Sequence, residues 1–391
     1  TFFRDPHPTF HRMRAESPVY FSESMKIWML TRYDQIDAMM RDPRFSSRRT
    51  PQLLGPLVSG SEGEEMLAQW SKLVFFLDPP EHPRIKAFLS KPFTPTTMEG
   101  LRPAVARIVR RTVDAVRDRG EMDVSMDLAD PIALDVLMAM FNLPGSDRGS
   151  FRKWTTDILK PAGLGAPTEG GMGLVRQSSK ALFDYVLSIT RERKERRGED
   201  MISQLLDNAE SNPEMLEEVG QQCGNTIAAG YLTSTNQLTN TVLAFLHHPA
   251  ELRRLRENPE RIKGAIEEVV RFDPAVMSIS RLALEDVEIG GRKIEKGQLA
   301  FGMTAAANRD PAVFSDPDKL DITRKTIRHL GFGGGGHYCL GAALIRMELE
   351  ELLRALVELP NWRFGDEPCE YSSFHLQDRG PKTLPMRWDT P

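Results

Sequence analysis

The longest helical pattern in the chain covers residues 212 to 246, and it limits the possible folds more than any other feature. Asn212 is a good N-cap and Pro213 suits the first helical position, while His247-His248-Pro249 ends the run. At 1.5 Å per residue such a helix is about 50 Å long, so it must cross the whole molecule and the other elements must pack along it. Apolar periodicity predicts further helices over 32–40, 98–117, 260–272 and 340–359, the second with Leu101, Val105, Ile108, Val109 and Val113 on one side. Short strands are expected at 18–21 and 27–30, with a hairpin pattern over 281–303 that turns at Gly290-Gly291 and Lys296-Gly297. The expected fold class is mainly α with a minor β portion. With no repeat and no long linker, residues 1–391 read as a single domain.

With 40% hydrophobic and 27% charged residues, the chain can build a sizeable core and is not of the disordered type. The net charge of −4 lacks the basic excess that nucleic acid or an anionic membrane surface would call for. Cys223, Cys339 and Cys369 are odd in number and far apart, which argues against a disulfide framework and against a tetrahedral zinc site. No run of about 18 apolar residues occurs, and Thr1-Phe2-Phe3-Arg4-Asp5-Pro6 has no export pattern, so a cytoplasmic monomer without a membrane partner is expected. Residues 161–173 carry five glycines and are a candidate mobile lid.

The most informative chemistry lies in Phe332-Gly333-Gly334-Gly335-Gly336-His337-Tyr338-Cys339-Leu340-Gly341. Four consecutive glycines mean either close approach to something large and flat or φ values closed to other residues. A phosphate-cradling loop would continue Gly-Lys-Ser/Thr, and this one does not. A cysteine at a helix start is stabilised as thiolate by the dipole and by free N–H groups, which is the state a metal needs. A single thiolate on haem iron favours O–O bond cleavage. Cys223 and Cys369 have no such surroundings and read as inert.

Phe332, Gly335, His337, Cys339 and Gly341 resemble, one by one, the cysteine-ligand loop F-x-x-G-x-H-x-C-x-G of the cytochrome P450 family. The resemblance implies the P450 fold with the long helix over the haem, haem b as cofactor and Cys339 as its iron ligand. It further implies that Phe332 packs beside the sulfur, that His337 reaches a haem propionate, and that N–H groups after Cys339, near Gly341, tune the thiolate. Glu268-Val269-Val270-Arg271 resembles the family's structural Glu-x-x-Arg pair, with Arg324 or Arg309 as third member; from spacing alone it would be a surface ion pair. His82 and Lys86 resemble the propionate-binding H-x-x-x-R, with Lys in place of Arg, and Arg281 matches a second propionate arginine. Val276, Met277, Ile279 and Phe374 fall where the family lines its substrate pocket.

Ala229-Gly230-Tyr231-Leu232-Thr233-Ser234 resembles A-G-x-[DE]-T-[TS], the segment associated with proton delivery, so Gly230 and Thr233 take catalytic roles by resemblance. The acid is missing, because Leu232 stands in its place and no Asp or Glu occurs between Glu218 and Glu251. The expected activity is insertion of oxygen from O2 into a small organic molecule, a natural-product intermediate that is free or bound to an acyl or peptidyl carrier protein. Electrons would come from a ferredoxin or flavodoxin-type donor steered by Lys72, Arg84 and Arg328. Competing readings are peroxygenase, isomerase or dehydratase chemistry, and a gas-binding haem sensor.

Overall fold

The computed structural model describes residues 2–57, 60–159, 169–209, 213–325, 327–371 and 376–390. The chain divides into two compact units, one comprising Thr1–Arg49, Val109–Pro131 and Thr233–Pro391, the other Thr50–Ile108 and Ile132–Leu232. Among the helices that pass through the division are Pro95–Arg117 and Pro213–His247. The second is the predicted long helix, 35 residues in length, whereas the proposed cap Asn212 lies outside the described residues.

The first unit holds a five-stranded sheet in the spatial order Val19–Ser22, Ile27–Leu30, Leu299–Gly302, Ile279–Ala283, Phe45–Ser46. Its first pair is antiparallel with Val19 opposite Leu30, and Ile27–Leu30 then pairs parallel with Leu299–Gly302. Val, Ile and Phe at alternate positions suit pleated surfaces, and Trp28, Leu30 and Ala300 bury against Ile36 and Met39 of helix Tyr33–Arg41. The predicted hairpin forms as expected. Its outer strands pair Ile279 with Gly302, and its tip turns at Gly290-Gly291, both at positive φ.

In the second unit, helices Arg148–Leu159 and Glu169–Glu195 pack together, with Trp154 and Tyr185 rings 5.3 Å apart. Leu73, Phe76 and Phe183 form a core beside the first half of the long helix, where Gly224 leaves room for the Phe183 ring. Most of the glycine-rich lid, residues 161–168, lies outside the described residues. Its remainder is corrected: Glu169 to Gly173 are the first turn of helix Glu169–Glu195, since one favourable packing face outweighs the helix cost of scattered glycines.

Candidate active site

The cysteine loop belongs to the first unit and is built by three kinds of restraint. Cys339 N–H donates to the Phe332 carbonyl at 2.9 Å, which folds the ten-residue stretch back on itself. Gly333 and Gly335 take φ of 69° and 61°, closed to most side chains. A Cβ on Gly334 would come within 3.0 Å of Met40 Cε, and one on Gly335 within 3.1 Å of the Met40 carbonyl. The close approach that the glycines permit is therefore to the chain's own helix Tyr33–Arg41, and not only to a bound group. Leu330 N–H, donated to Asn308 Oδ1 at 2.6 Å, anchors the entry to the loop.

Helix Ala342–Leu356 begins two residues later than the sequence pattern indicated, with Gly341 as its cap residue, so Cys339 sits just before the positive end of the helix. Phe332 is buried beneath the Arg346 guanidinium, 4.5 Å from its ring centre. Arg346 is held by two bonds to Glu267, at 2.5 and 2.9 Å, and His329 shares a third with the same carboxylate at 3.2 Å. Burial alone would raise the Glu267 carboxyl, but these hydrogen bonds hold it down to about 2. Cys339 itself is exposed, as is Ala343 one turn on, whereas Ala342, Leu344 and Ile345 are buried.

Three further groups of the same unit gather beside the sheet. His337 Nε2 and Ser47 Oγ share a hydrogen bond of 3.0 Å, Arg49 donates to Ser280 Oγ at 2.7 Å and to the Ser47 carbonyl at 2.7 Å, and Arg281 donates to the Ser280 carbonyl at 2.9 Å. Both arginines are 4% exposed, so two guanidinium charges are concentrated in little water. Sequence reasoning found His337 and Arg281 but missed Arg49. Only the antiparallel pairing of Phe45–Ser46 with Leu282–Ala283 brings residue 49 to this place.

Among the described residues there is no cluster of three or more His, Cys, Asp or Glu side chains able to hold a metal ion. A lone exposed thiol beside small residues, with cationic donors nearby, fits an iron that brings its own four nitrogen ligands and two carboxylates, as haem does.

Glu268 and Arg271 are both 0% exposed and paired through two bonds of 2.8 Å, so they are not a surface pair. The third member is Arg324, at 3.1 Å from Glu268, and Asp321 N–H adds a bond of 2.9 Å. Arg309 instead donates to the Phe272 carbonyl and to Asp318. Arg271 also holds the Asn308, Pro317 and Lys319 carbonyls, which ties the segment leading to the cysteine loop.

Thr233 is half-buried on the long helix, and the residues that follow it fix the neighbouring walls. Gln237 accepts from Ala275 N–H at 2.9 Å, and Asn240 donates to the Arg379 carbonyl at 3.0 Å. Val276 and Ile279 are partly exposed. Met277 is 0% exposed, as is Ser278 after it. Phe374 lies outside the described residues.

In the second unit His82 and Lys86 are one turn apart on helix Glu81–Ser90, His82 buried and Lys86 half-buried. Gly230 lets the long helix come close to Leu137, whose Cδ2 would stand 3.2 Å from an added Cβ. Of the three proposed docking cations, Lys72, Arg84 and Arg328 are all exposed, although Arg84 also pairs with Glu218 at 3.4 Å. Burial pushes both the Cys223 and Cys369 thiols up, in keeping with their inert reading. No helix among the described residues is long and apolar enough to cross a membrane.

The mainly helical fold, the buried Glu-x-x-Arg cluster and the cysteine loop together define an oxidoreductase of the iron-porphyrin class. The chain belongs to the cytochrome P450 family, whose model, described as Cytochrome P450, matches residues 170–370. It is 32% identical over 378 residues to the biotin biosynthesis cytochrome P450 of Bacillus subtilis (strain 168), covering 95% of this chain and 93% of that protein. The crystal structure of CalO2 is similar with a TM-score of 0.91 and 30% identity, over 99% of this chain and 97% of that one. The same score and identity relate it to P450BioI in complex with hexadec-9Z-enoic acid ligated acyl carrier protein, over 99% of each chain. As a family member the chain has the P450 fold and is a monooxygenase.

Proposed function

We propose that Cys339 is the axial ligand of a haem b iron and that the enzyme, acting as one domain over residues 1–391, oxygenates a natural-product intermediate. That substrate is taken either free or carried on an acyl or peptidyl carrier protein. Haem, when bound, supplies O2 activation with electrons from a ferredoxin or flavodoxin-type donor. The exposed thiol of Cys339 at a helix start carries the reading. Arg49, Arg281 and His337 bind the propionates, while the roles of His82 and Lys86 rest on the sequence resemblance. Phe332, shielded by Arg346, keeps water from the sulfur, and Gly341 leaves the N–H groups after Cys339 open to it. Val276 and Ile279 form part of the substrate wall. The carrier-bound substrate is supported by the P450BioI complex, in which that relative holds an acylated carrier protein.

Leu232 supplies no proton, so the Thr233 hydroxyl works with Tyr231, Ser234, Thr235 or ordered water. Delivery of protons by a positioned group is typically worth about 10²–10⁴ in rate. Thr233→Ala should therefore divert reducing equivalents from product to peroxide, and unchanged coupling would move proton delivery away from this segment. For the central claim, the carbon-monoxide complex of the reduced protein should absorb at the long wavelength of thiolate-bound haem. Cys339→Ser should abolish that band, Cys223→Ser and Cys369→Ser should leave it, and a Cys339→Ser protein that kept it would refute the assignment.

A further inference from the structure

The segment 376–381 runs antiparallel to 275–278. Met277 N–H donates to the Gln377 carbonyl at 2.6 Å and Arg379 N–H to the Ala275 carbonyl at 2.8 Å, so Val276 and Asp378 stand directly opposite each other between these bonds. In such a pair the side chains lie on the same face at their closest spacing. Val276, Gln377 and Asp378 are partly exposed, whereas Met277, Ser278 and Arg379 are buried.

The segment is held firmly. Ser278 donates to the Leu376 carbonyl at 3.0 Å, Asn240 to that of Arg379 at 3.0 Å and Ser125 to that of Pro381 at 2.8 Å. A Cβ on Gly380 would clash with the Asn236 side chain, so the strand packs directly against the long helix. Arg379 turns its guanidinium away from Asp378, towards Asp273 and the Phe3 and Arg4 carbonyls.

The surrounding protein withdraws water from the Asp378 carboxyl and pushes it up to about 6, with no charge or hydrogen bond from the described residues adding to the effect. Yet the residue keeps part of its surface accessible. Asp378 and Val276 thus present accessible side chains side by side on one face of the paired segments. A carboxylate that has lost water without gaining a donor is costly unless a ligand supplies one. An ammonium group returns both the opposite charge and the donor, whereas a hydroxyl returns the donor alone.

We infer that Asp378 is a specificity-determining residue whose carboxylate receives the protonated amine of a substrate whose apolar body lies beside Val276. This rests on the reading of the 276–279 segment as a substrate wall. The residue would touch substrate without entering the oxygen chemistry.

The test is calorimetric titration of the haem-loaded protein at about pH 8, where the carboxyl is ionised, with N,N-dimethyldecylamine, decan-1-ol and decanoate as probes. The wild type should bind the amine about tenfold or more tightly than the alcohol. Asp378→Asn should weaken the amine about tenfold, leave the alcohol within about twofold, and strengthen decanoate, a gain that a damaged fold does not produce. Equal affinity of the wild type for amine and alcohol, a parallel loss of both in the variant, or no gain for decanoate would overturn the inference. The carbon-monoxide band is read on the same samples. Its absence from the wild type would count against the Cys339 assignment, and its presence with failed amine selectivity against Asp378 alone.

Discussion

Glu268 and Glu348 are 0% and 1% exposed, and the protein treats them in opposite ways. Four donors converge on Glu268: two from Arg271, one from Arg324 and the Asp321 N–H. Glu348, on helix Ala342–Leu356, has an Oε2 with no hydrogen-bond partner among the described residues, and burial pushes its carboxyl up to about 8. The first carboxylate has its lone pairs and charge matched by two guanidinium groups and a backbone N–H. The second avoids most of the cost by keeping its proton at neutral pH. Asp378 stands between them, desolvated but reachable, with a carboxyl near 6. Burial of an acid therefore has three outcomes here, and the donors around it decide which one applies.

The sharpest way to break this contrast is at the matched pair. Glu268→Gln should cost about 3–5 kcal/mol, because Arg271 and Arg324 would keep their charges in the interior without an anion. Thermal unfolding should show a large drop in melting temperature together with loss of haem retention. A change under about 1 kcal/mol would mean that the carbonyls around Arg271 suffice to hold it.

The smaller effect is expected at Glu348, and it should depend on pH. Its folded pKa, about 8, lies above the ordinary value of 4.5, so the folded state holds a proton that the unfolded chain releases. Stability contributed by this group is complete below about 4.5, falls as pH rises through the window, and is fully lost above about 8. A tenfold change in proton affinity corresponds to about 1.4 kcal/mol, and relaxation around the ionised group leaves an expected net cost of about 2 kcal/mol. Glu348→Gln should flatten the fall in stability between about pH 5 and pH 9. A wild-type stability that is level across that window would show Glu348 to be ionised and matched like Glu268.

The same contrast marks what a sequence can disclose. The long helix, the hairpin and the Cys339 loop were legible because their signals are local: periodicity, paired glycines, and five residue types within ten positions. The full burial of Met277 was not legible, since nothing in the local sequence separates it from the partly exposed Val276 and Ile279. The choice between Arg324 and Arg309 was open, since it depends on how a loop some 50 residues downstream of Glu268 folds back. Arg49 and Asp378 carried no signal at all. Each acquires meaning only through a partner strand far along the chain, Leu282–Ala283 for the one and the 275–278 segment for the other. An isolated Asp before Arg-Gly near a C-terminus looks like a turn residue until its surroundings are known.

Arg379 joins residues far apart in the sequence: its guanidinium holds the carbonyls of Phe3 and Arg4, and its own backbone fixes the strand that presents Asp378. Tension applied at Phe3 or Arg4 is thus transmitted through one side chain to the 275–278 segment, although Arg4 and Arg379 are 375 positions apart in sequence. Phe3 and Arg4 are in this way part of the suspension that holds Asp378 opposite Val276, and a change at either is a change in its mounting.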